Sequence, residues 1–385
     1  MQPEGVLRAD GVHVGGDARQ RFYDSRGYGR PINGNEILVT YLEAAHLLFR
    51  GDLAAVSVDG DTLGFESFFV HAAGTVDRFA VRFLVYADLR DRGFYLSPTR
   101  EGWPGDRHLD GEDADFVVYE RGASPPDGPI AYRLRVVGER ESIPVEGLAG
   151  TTLAIVDEES DLTYFEATAV DPDGSTRYDP PAELSGVLLE DRVMVWDAPE
   201  ALYERGFYGR PLSGRASTLE SAIQLSLLEA AFLAEHGALR LQEAVPVESD
   251  AQGEARGGDG DATDDAAVDG DRVDAAQAIR ERGRDVEGSR FDGRLNVYAD
   301  LRERSIVPKT GFKFGADFRT YLDVETVADL PHSEHLIRVL DPDHVFVPRE
   351  LSLDVRLAGG VRKRMVFALT DASSINYLSV ARLTP

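Results

Sequence analysis

The chain has 385 residues, enough for two to four domains, and 43% of them are hydrophobic, which is sufficient for proper cores. It contains no cysteine, which excludes disulfides and thiolate metal sites. No apolar run approaches the roughly 20 residues that cross a bilayer, and the N-terminus lacks the apolar region of a signal peptide. We therefore expect no membrane association and a cytoplasmic location.

The net charge is −27 at pH 7. One interpretation is an acidic protein that avoids nucleic acid, and the other is a protein adapted to a high-salt cytoplasm, where acidic surfaces keep the chain soluble. Abundant aspartate, few lysines and small apolar side chains favour the halophilic interpretation. An RNA partner stays open, provided that its site is a local basic patch.

The first elements of the chain occur twice. Residues 11–30 and 186–210 each pass from an apolar stretch through a charged turn to a Tyr-Gly-Arg cluster followed by proline. Residues 37–53 and 223–239 each have apolar residues at helical spacing around LEAA and a closing glycine. The spacing predicts a helix over each of these two segments.

The later elements recur in the same order. The hexapeptide VYADLR occurs at 85–90 and at 297–302, within predicted helices over 77–92 and 275–304. Strands with alternating apolar residues follow, such as RLRVV and LIRVL. Blocks that recur in one order indicate an internal duplication, in which each half is one structural unit.

Two acidic insertions interrupt the halves. Residues 248–271 are rich in Asp, Gly and Ala, so we expect a solvated, disordered loop. A calcium loop is the alternative, but the segment lacks the complete EF-hand pattern with its distal glutamate. A shorter acidic insertion occupies 104–115.

The segment Val307 to Arg364 holds all three lysines of the chain, together with one tyrosine and three histidines of interest. Lysine is a compact point charge with an adjustable pKa, so its retention in an arginine-rich chain suggests point-charge chemistry. Chance clustering is the alternative.

The two copies differ at these positions. Alignment places Tyr321 opposite Tyr119, whereas His332 and Lys363 fall opposite a proline and an alanine of the first copy. Residues needed for folding should persist in both copies, so residues found in one copy are better candidates for chemistry.

Tyrosine, histidine and lysine together suit cleavage of RNA. The 2′-hydroxyl is the nucleophile, so the reaction needs a base, an acid for the leaving 5′-oxygen and a cation for the charge on phosphorus. Histidine suits the acid role, lysine the electrostatic role, and tyrosine the base role if cations lower its pKa. The alternative is that Tyr321 is a core aromatic and His332 a turn residue.

At these residues the sequence resembles the archaeal tRNA-splicing endonucleases. The matching signature is VYADLRER, KTGFKFGADFRTY, HSEHLIRV and VRKRMVFAL, while LSLLEAAFL and FYGRPLSG match the family's N-terminal domain. The resemblance covers essentially the whole chain, because the first half is a degenerate copy of the same unit. The chain looks like the subtype with one active and one inactive copy, which works as a homodimer.

The resemblance implies a metal-independent tRNA-intron lyase that cuts bulge-helix-bulge RNA and leaves a 2′,3′-cyclic phosphate and a 5′-hydroxyl. The family's general base, general acid and charge-stabilising residue match Tyr321, His332 and Lys363. No cofactor and no metal are implied. The implied partners are precursor tRNA, with precursor rRNA as a second candidate, and a second copy of the chain.

Two further features are implied. The family clamps a bulged base between two arginines of the opposite catalytic unit, and the best-matching positions are Arg356 and Arg382. An acidic loop of the inactive copy docks into a basic pocket of the active copy, with a solvated hairpin turn as the alternative. The candidate acidic side chains are Asp157, Glu158, Glu159 and Asp161.

We expect the α/β (α+β) class, with two tandem repeats that each contain an N-terminal mixed α/β domain and a C-terminal nuclease-like α/β domain with a central mixed sheet. The expected boundaries are 1–74 and 75–172 for the inactive repeat, 173–185 for a linker, 186–247 for the N-terminal domain of the active repeat, 248–272 for the acidic insertion and 273–385 for the catalytic domain. Ser305 replaces the glycine found at Gly93, so that loop is expected to differ.

Two other functions stay open. A metal-dependent nuclease would need clustered acids around an open coordination site, and Asp317 is a conceivable ligand. A non-catalytic RNA-binding scaffold would suit the first half, but His332 and Lys363 in the second half argue against it.

Overall fold

The structure is a computed structural model that describes residues 2–108, 114–214, 221–242, 270–371 and 373–385, with side chains from 275 onward in the segment that begins at 270. The chain divides into two compact units. The first unit contains residues 1–169, 343–360 and 378–385, and the second unit contains residues 170–342 and 361–377.

The first 170 residues form twelve strands and three α-helices within the described ranges. The strands are β1 (Gly5–Arg8), β2 (Gly11–Val14), β3 (Arg30–Pro31), β4 (Ile37–Val39), β5 (Val56–Val58), β6 (Asp61–Leu63), β7 (Tyr95–Pro98), β8 (Phe116–Tyr119), β9 (Ile130–Gly138), β10 (Ile143–Pro144), β11 (Thr152–Val156) and β12 (Leu162–Val170). The helices are α1 (Tyr41–Phe49), α2 (Phe65–Ala73) and α3 (Phe79–Asp91).

The rest of the chain repeats this order of elements. The strands are β13 (Leu184–Leu188), β14 (Arg192–Val195), β15 (Arg210–Pro211), β16 (Ile223–Ser226), β17 (Leu239–Leu241), β18 (Val307–Thr310), β19 (Phe318–Tyr321), β20 (His335–Leu340), β21 (Val345–Phe346), β22 (Arg364–Thr370) and β23 (Ile375–Leu383). The helices are α4 (Glu200–Glu204), α5 (Leu227–Glu235), α6 (Gly270–Glu287), α7 (Arg290–Glu303) and α8 (Pro348–Gly360).

The first unit contains two sheets that share a hydrophobic core. One has the strand order β3-β4-β2-β1-β5-β6, and the other runs β7-β8-β9-β11-β12 with the end of β23 beside β12. Helices α1, α2 and α3 pack their apolar faces into this core around Phe68 and Phe83. A short pair, β10 with β21, and helix α8 complete the unit.

The second unit has the same plan. Its smaller sheet has the order β15-β16-β14-β13-β17, and its larger sheet contains β18, β19, β20 and β22 in that order. Strands β18, β19 and β20 are antiparallel, whereas β20 and β22 are parallel. Helices α5, α6 and α7 pack against one another beside these strands. The expected mixed α/β class with tandem repeats is thus confirmed.

The LEAA helices begin later than the apolar spacing predicts. Helix α1 starts at Tyr41, because Thr40 caps it and exchanges backbone and side-chain hydrogen bonds with Glu43. Ser226 and Glu229 form the same capping box at α5. Each box fixes a helix start, so the residues before it, from Ile37 or Ile223, pair as strands instead.

The helix predicted over 275–304 is two helices, α6 and α7. Gly288 separates them with a φ of 69°, a left-handed conformation that ends an α-helix. Ser305 after α7 has a φ of 60°, close to the 88° of Gly93 after α3. The expectation of a different loop there is therefore wrong at the level of backbone conformation.

The identities shared by the repeats have a structural cause. The last residue of VYADLR is Arg90 or Arg302, whose guanidinium stacks over the ring of Tyr28 at 3.9 Å or of Tyr208 at 4.1 Å. Burial tends to lower the pKa of Arg302, but the adjacent tyrosines raise it, so it stays charged. A buried arginine needs such partners, which explains why both copies keep the same aromatic and arginine residues.

The predicted linker is an extended segment that hydrogen-bonds within the second unit. The amide of Gly174 donates to the carbonyl of Arg304 at 2.9 Å, and the amide of Ser175 donates to the carbonyl of Leu322 at 2.8 Å. A Cβ at Gly174 would lie 2.4 Å from the carbonyl oxygen of Ser305, so the close approach requires glycine.

Two other expectations concern the acidic insertion and the absence of a membrane-spanning helix. The acidic insertion lies outside the described residues except for its last few, which begin α6 at Gly270. Within the described ranges, no helix combines the length and apolar character that a bilayer crossing requires.

Candidate active site

Three neighbouring strands bring the candidate catalytic residues to one edge of the larger sheet of the second unit. Strand β19 ends at Tyr321, His332 lies in the segment that leads into β20, and Lys363 immediately precedes β22. Because β19 runs antiparallel to β20 and β22 runs parallel to it, the end of β19 and the starts of the other two strands lie at the same edge.

Tyr321 has a ring fixed by packing. The residue is 4% exposed and contacts Phe207, Val307 and Val324 in a small cluster of buried apolar side chains. The guanidinium of Arg319 lies 5.7 Å from the centre of its ring. The position of the phenol is therefore set by the scaffold before any substrate binds.

Lys363 is tied to the segment that carries the histidine. Its Nζ donates a hydrogen bond to the carbonyl oxygen of Ser333 at 2.9 Å and lies 5.6 Å from the ring centre of Phe314. Burial lowers the pKa of Lys363, and the charge of Arg319 lowers it further. No carboxylate within the described residues lies at ion-pair distance from this ammonium group.

His332 is held at the same edge by its neighbours. Ser333 is buried, and the amide of Glu334 donates to the carbonyl of Thr320 at 3.0 Å, while the carbonyl of Glu334 accepts from the amide of Arg364 at 3.0 Å. The backbone after His332 is thus fixed between β19 and β22. Its own side chain is exposed, as an acid that must reach a leaving group requires.

A cavity of about 490 Å³ adjoins Tyr321 in the second unit. Its lining includes Tyr321, Arg319, Lys309 and Glu229, but neither His332 nor Lys363. The three candidates therefore share a sheet edge, and only the tyrosine also faces this cavity.

Lys309, one of the three lysines, is structural rather than catalytic. Its Nζ donates to Glu229 Oε1 at 3.0 Å, and that carboxylate also accepts from the amide of Gly209. Burial lowers the pKa of Lys309, and the negative charge of Glu229 opposes that shift. Burial would raise the pKa of Glu229, but Lys309 and the backbone donors bring it below its ordinary value, so the pair is ionised.

The two arginines predicted to contact RNA lie together in the first unit. Arg356 on α8 and Arg382 on β23 are exposed, and both line a groove of about 900 Å³. Arg349 contributes a third guanidinium, and Phe165 and Val355 contribute apolar surface. This combination of cations and apolar floor suits an unstacked base.

The acidic loop is a tight turn between β11 and β12. The Oδ1 of Asp157 accepts hydrogen bonds from the amides of Glu159 and Asp161, both at 2.9 Å. Ser160 has a φ of 67°, and Glu158 pairs with Arg140 at 2.6 Å. The turn thus presents Glu158, Glu159 and Asp161 as exposed carboxylates on a rigid backbone.

Asp317, the residue considered as a metal ligand, is fully engaged in the protein. Its Oδ1 pairs with Arg290 at 2.9 Å and Arg294 at 3.1 Å, and its Oδ2 accepts from the amide of Val339 at 2.9 Å. Among the described residues, no three His, Asp or Glu side chains are grouped as ligands of one metal ion.

Arg319, which lies beside Tyr321, was not among the residues predicted from the sequence. The alternation of a strand contained the signal, because residues 319 and 321 of β19 face the same side of the sheet.

Comparison with known proteins agrees with the duplicated architecture. Residues 291–377 match the family model described as tRNA intron endonuclease, catalytic C-terminal domain, and residues 3–69 and 184–249 match that of its N-terminal domain. The N-terminal domain model thus matches twice, once in each repeat.

Relatives of similar length match over the whole chain. A tRNA-splicing endonuclease of Haloferax volcanii is 53% identical over 383 residues, which cover 99% of this chain and 100% of the relative. That of Halobacterium salinarum is 52% identical over 99% of this chain and 100% of the relative, and that of Methanococcoides burtonii is 34% identical over 97% of each. The chain therefore belongs to the tRNA intron endonuclease family.

Proposed function

We propose that this protein is an endoribonuclease that excises introns from precursor tRNA in the cytoplasm. It cuts bulge-helix-bulge RNA at both splice sites without a metal ion and leaves a 2′,3′-cyclic phosphate and a 5′-hydroxyl. Family membership supports the coarse reaction, and the chemistry of the candidate residues supports the finer description.

In this proposal, Tyr321 acts as the phenolate and takes the proton of the 2′-hydroxyl, whose oxygen then attacks the neighbouring phosphorus. The imidazolium of His332 gives its proton to the 5′-oxygen as the bond from that oxygen to phosphorus breaks, and the ammonium of Lys363 stabilises the charge that grows on the phosphoryl oxygens. All atoms of the nucleophile and the leaving group come from the RNA, so the protein needs to supply only a base, an acid and a cation.

One observation carries the proposal. Tyr321, the segment after His332 and Lys363 occupy the ends of three adjacent strands, and the hydrogen bond from Lys363 to Ser333 links the last two. Holding catalytic groups in a fixed arrangement removes a large part of the entropic barrier to reaction.

The proposal includes a homodimer. The groove that contains Arg356 and Arg382 clamps a bulged base for the active site of the other copy, and the rigid acidic turn from Asp157 to Asp161 docks into a basic pocket of an active repeat. Exposure of both arginines and of three carboxylates in the turn supports these roles.

The same proposal assigns the domains. Residues 1–74 and 75–172 form the inactive repeat, 173–185 the linker, 186–247 and 273–385 the active repeat, and 248–272 an acidic insertion. The matches of the N-terminal and catalytic family models support this division.

The test is incubation with a bulge-helix-bulge transcript, with and without EDTA, followed by analysis of the product ends. We expect two cuts, cyclic-phosphate ends and no effect of the chelator. His332→Ala should lower the cleavage rate by at least about 100-fold, because general acid catalysis contributes that much, and RNA affinity should be retained. Cleavage lost in EDTA and restored by a divalent ion, or a His332→Ala variant that cuts at the normal rate, would refute the proposal.

A further inference from the structure

Among the residues that the structure describes, Arg319 has no hydrogen-bond or ion-pair partner. It lies in the middle of β19, is half-buried, and its Nε is shielded from solvent without a hydrogen bond. In the part of the chain that the structure describes, the one ring near its guanidinium is that of Tyr321, whose centre lies 5.7 Å from the guanidinium carbon, and no carboxylate forms an ion pair with it.

Several arginines of the second unit have a carboxylate partner, although the half-buried Arg240, whose Nε is likewise shielded without a hydrogen bond, has none among the described residues. Arg284 pairs with Asp292 at 2.7 Å, Arg294 with Asp317 at 3.1 Å and Arg304 with Asp300 at 2.7 Å. The chain has 68 carboxylates for 41 Lys and Arg side chains, so a partner is available for nearly every cation. A half-buried guanidinium kept apart from all of them is poorly compensated in the free protein.

The surroundings of Arg319 are positive. Lys309 lies directly across the strand pair, and its own charge is balanced by Glu229. Burial is the main cause that lowers the pKa of Lys363, and the charge of Arg319 is the next, so the two cations are close enough to repel each other. Glu334 is the one carboxylate that opposes this lowering of the pKa, so Arg319 and Lys363 place two cations against one anion beside Tyr321. The remaining positive charge attracts an anion.

The first repeat lacks this cation. Its strands β7 and β8 pair Ser97 with Val117 where β18 and β19 pair Lys309 with Arg319. The tyrosine two residues later is present in both repeats, as Tyr119 and Tyr321. Arg319 thus belongs with His332 and Lys363 among the groups that only the second repeat carries.

We propose that Arg319 binds a phosphate of the RNA that is cut beside Tyr321. This inference rests on the proposed function and adds to it a second cationic contact. A guanidinium presents two parallel N–H donors to phosphate oxygens, and the cavity of about 490 Å³ next to it leaves room for the nucleotide. The bound phosphate supplies the anionic partner that Arg319 lacks in the free protein.

The salt dependence of RNA binding tests this contact directly. The probe is a bulge-helix-bulge RNA with deoxyribose at both cut positions, which binds but has no nucleophile, and its Kd is measured against KCl concentration. For Arg319→Met we expect a slope of log Kd against log salt that is smaller by about 0.7 to 0.9, the value for one phosphate contact. Affinity should fall by about tenfold, and Arg319→Lys should restore the slope.

Arg284→Met is the matched control, because Arg284 already pairs with Asp292 and its removal should leave the slope unchanged. Arg319→Gln is a second uncharged variant for the case in which the methionine variant does not fold. An unchanged slope in a folded, uncharged variant would overturn the inference, as would a lysine variant that behaves like methionine.

Failure of the proposed function would give a different result. If the wild-type protein binds the deoxy-substituted RNA but does not cut the all-ribose RNA, the cleavage proposal fails, while the slopes still decide whether Arg319 contacts phosphate.

Discussion

At the scale of single residues, the packing role of the Tyr321 ring can be tested separately from the proposed chemical role of its hydroxyl. Its ring fills a buried cluster, whereas its hydroxyl is the group proposed to act. Tyr321→Phe keeps the ring, so we expect the free energy of unfolding to change by less than about 1.5 kcal/mol. The single-turnover cleavage rate should fall by about 100-fold or more, because the base is lost. Rapid-quench kinetics and thermal unfolding measure the two effects.

Tyr119→Phe is the internal control for that experiment. Tyr119 ends β8 of the first repeat as Tyr321 ends β19, but it has no histidine or lysine counterparts beside it. We expect normal cleavage. Equal losses in the two variants would mean that the tyrosines serve folding and would contradict the assignment of a base.

His46 provides a residue-scale prediction about pH. It is fully buried, its Nδ1 lies 2.9 Å from the hydroxyl of Tyr28, and burial together with Arg90 and Arg50 lowers its pKa to about 3. In the unfolded chain its pKa is about 6.5, so the unfolded state binds the proton first as the pH falls. Its contribution to stability is therefore complete above about pH 6.5 and is lost as the pH falls towards about 3.

The expected size follows from the shift. Between about pH 7 and about pH 5, the wild-type protein should lose about 2 kcal/mol that His46→Gln does not lose. Urea unfolding of both proteins at the two pH values, in the same salt, measures the difference. Parallel losses would contradict the prediction, because they would mean that folding does not lower the pKa of His46.

At the scale of elements, the capping boxes decide where helices begin. The Oγ of Ser226 accepts the amide of Glu229 at 3.3 Å and donates to its carboxylate at 2.9 Å. Ser226→Ala should lower the free energy of unfolding by about 1 kcal/mol, the usual effect of losing such a cap. Thr40→Ala should do the same for α1, and Ser226→Thr, which keeps the hydroxyl, should have a smaller effect. Chemical denaturation of the three variants tests this order.

The sequence predicted the elements better than their ends. Periodicity located the LEAA helices but could not distinguish the strand before Thr40 from a helical turn, because a short apolar run fits both. Periodicity also predicted one helix where the structure has α6 and α7. A single glycine in a helical pattern does not reveal that its φ is positive, as it is at Gly288. Both errors arise because local conformation at a boundary depends on hydrogen bonds that the pattern of apolar residues does not encode.

The candidate site residues, too, were predicted only in part. Differences between the repeats selected His332 and Lys363 as candidates, because a duplicated chain carries its own comparison. Residue 319 differs between the repeats in the same way, because Val117 of the first repeat corresponds to Arg319 of the second. The structural role of Lys309 was also missed, because its partner Glu229 lies 80 residues away in the sequence, on helix α5.

At the scale of the whole molecule, the net charge sets the conditions for folding. The excess of 27 negative charges has no cationic partner in the chain. Added salt weakens this repulsion, since the Debye length falls from about 10 Å at 0.1 M to about 3 Å at 1 M. Salt also weakens the exposed ion pairs, but each of these contributes only about 0 to 1 kcal/mol, so the repulsion should dominate.

We therefore expect KCl to stabilise the protein. Between about 0.1 M and about 2 M KCl the Tm should rise by about 10 °C, which corresponds to a few kcal/mol for units of this size. Sucrose strengthens burial but screens no charge, so at equal osmolality it should raise the Tm by less. Differential scanning calorimetry in both solutes measures this contrast. A Tm independent of KCl would contradict the halophilic interpretation, and equal effects of the two solutes would assign the stabilisation to burial instead of charge.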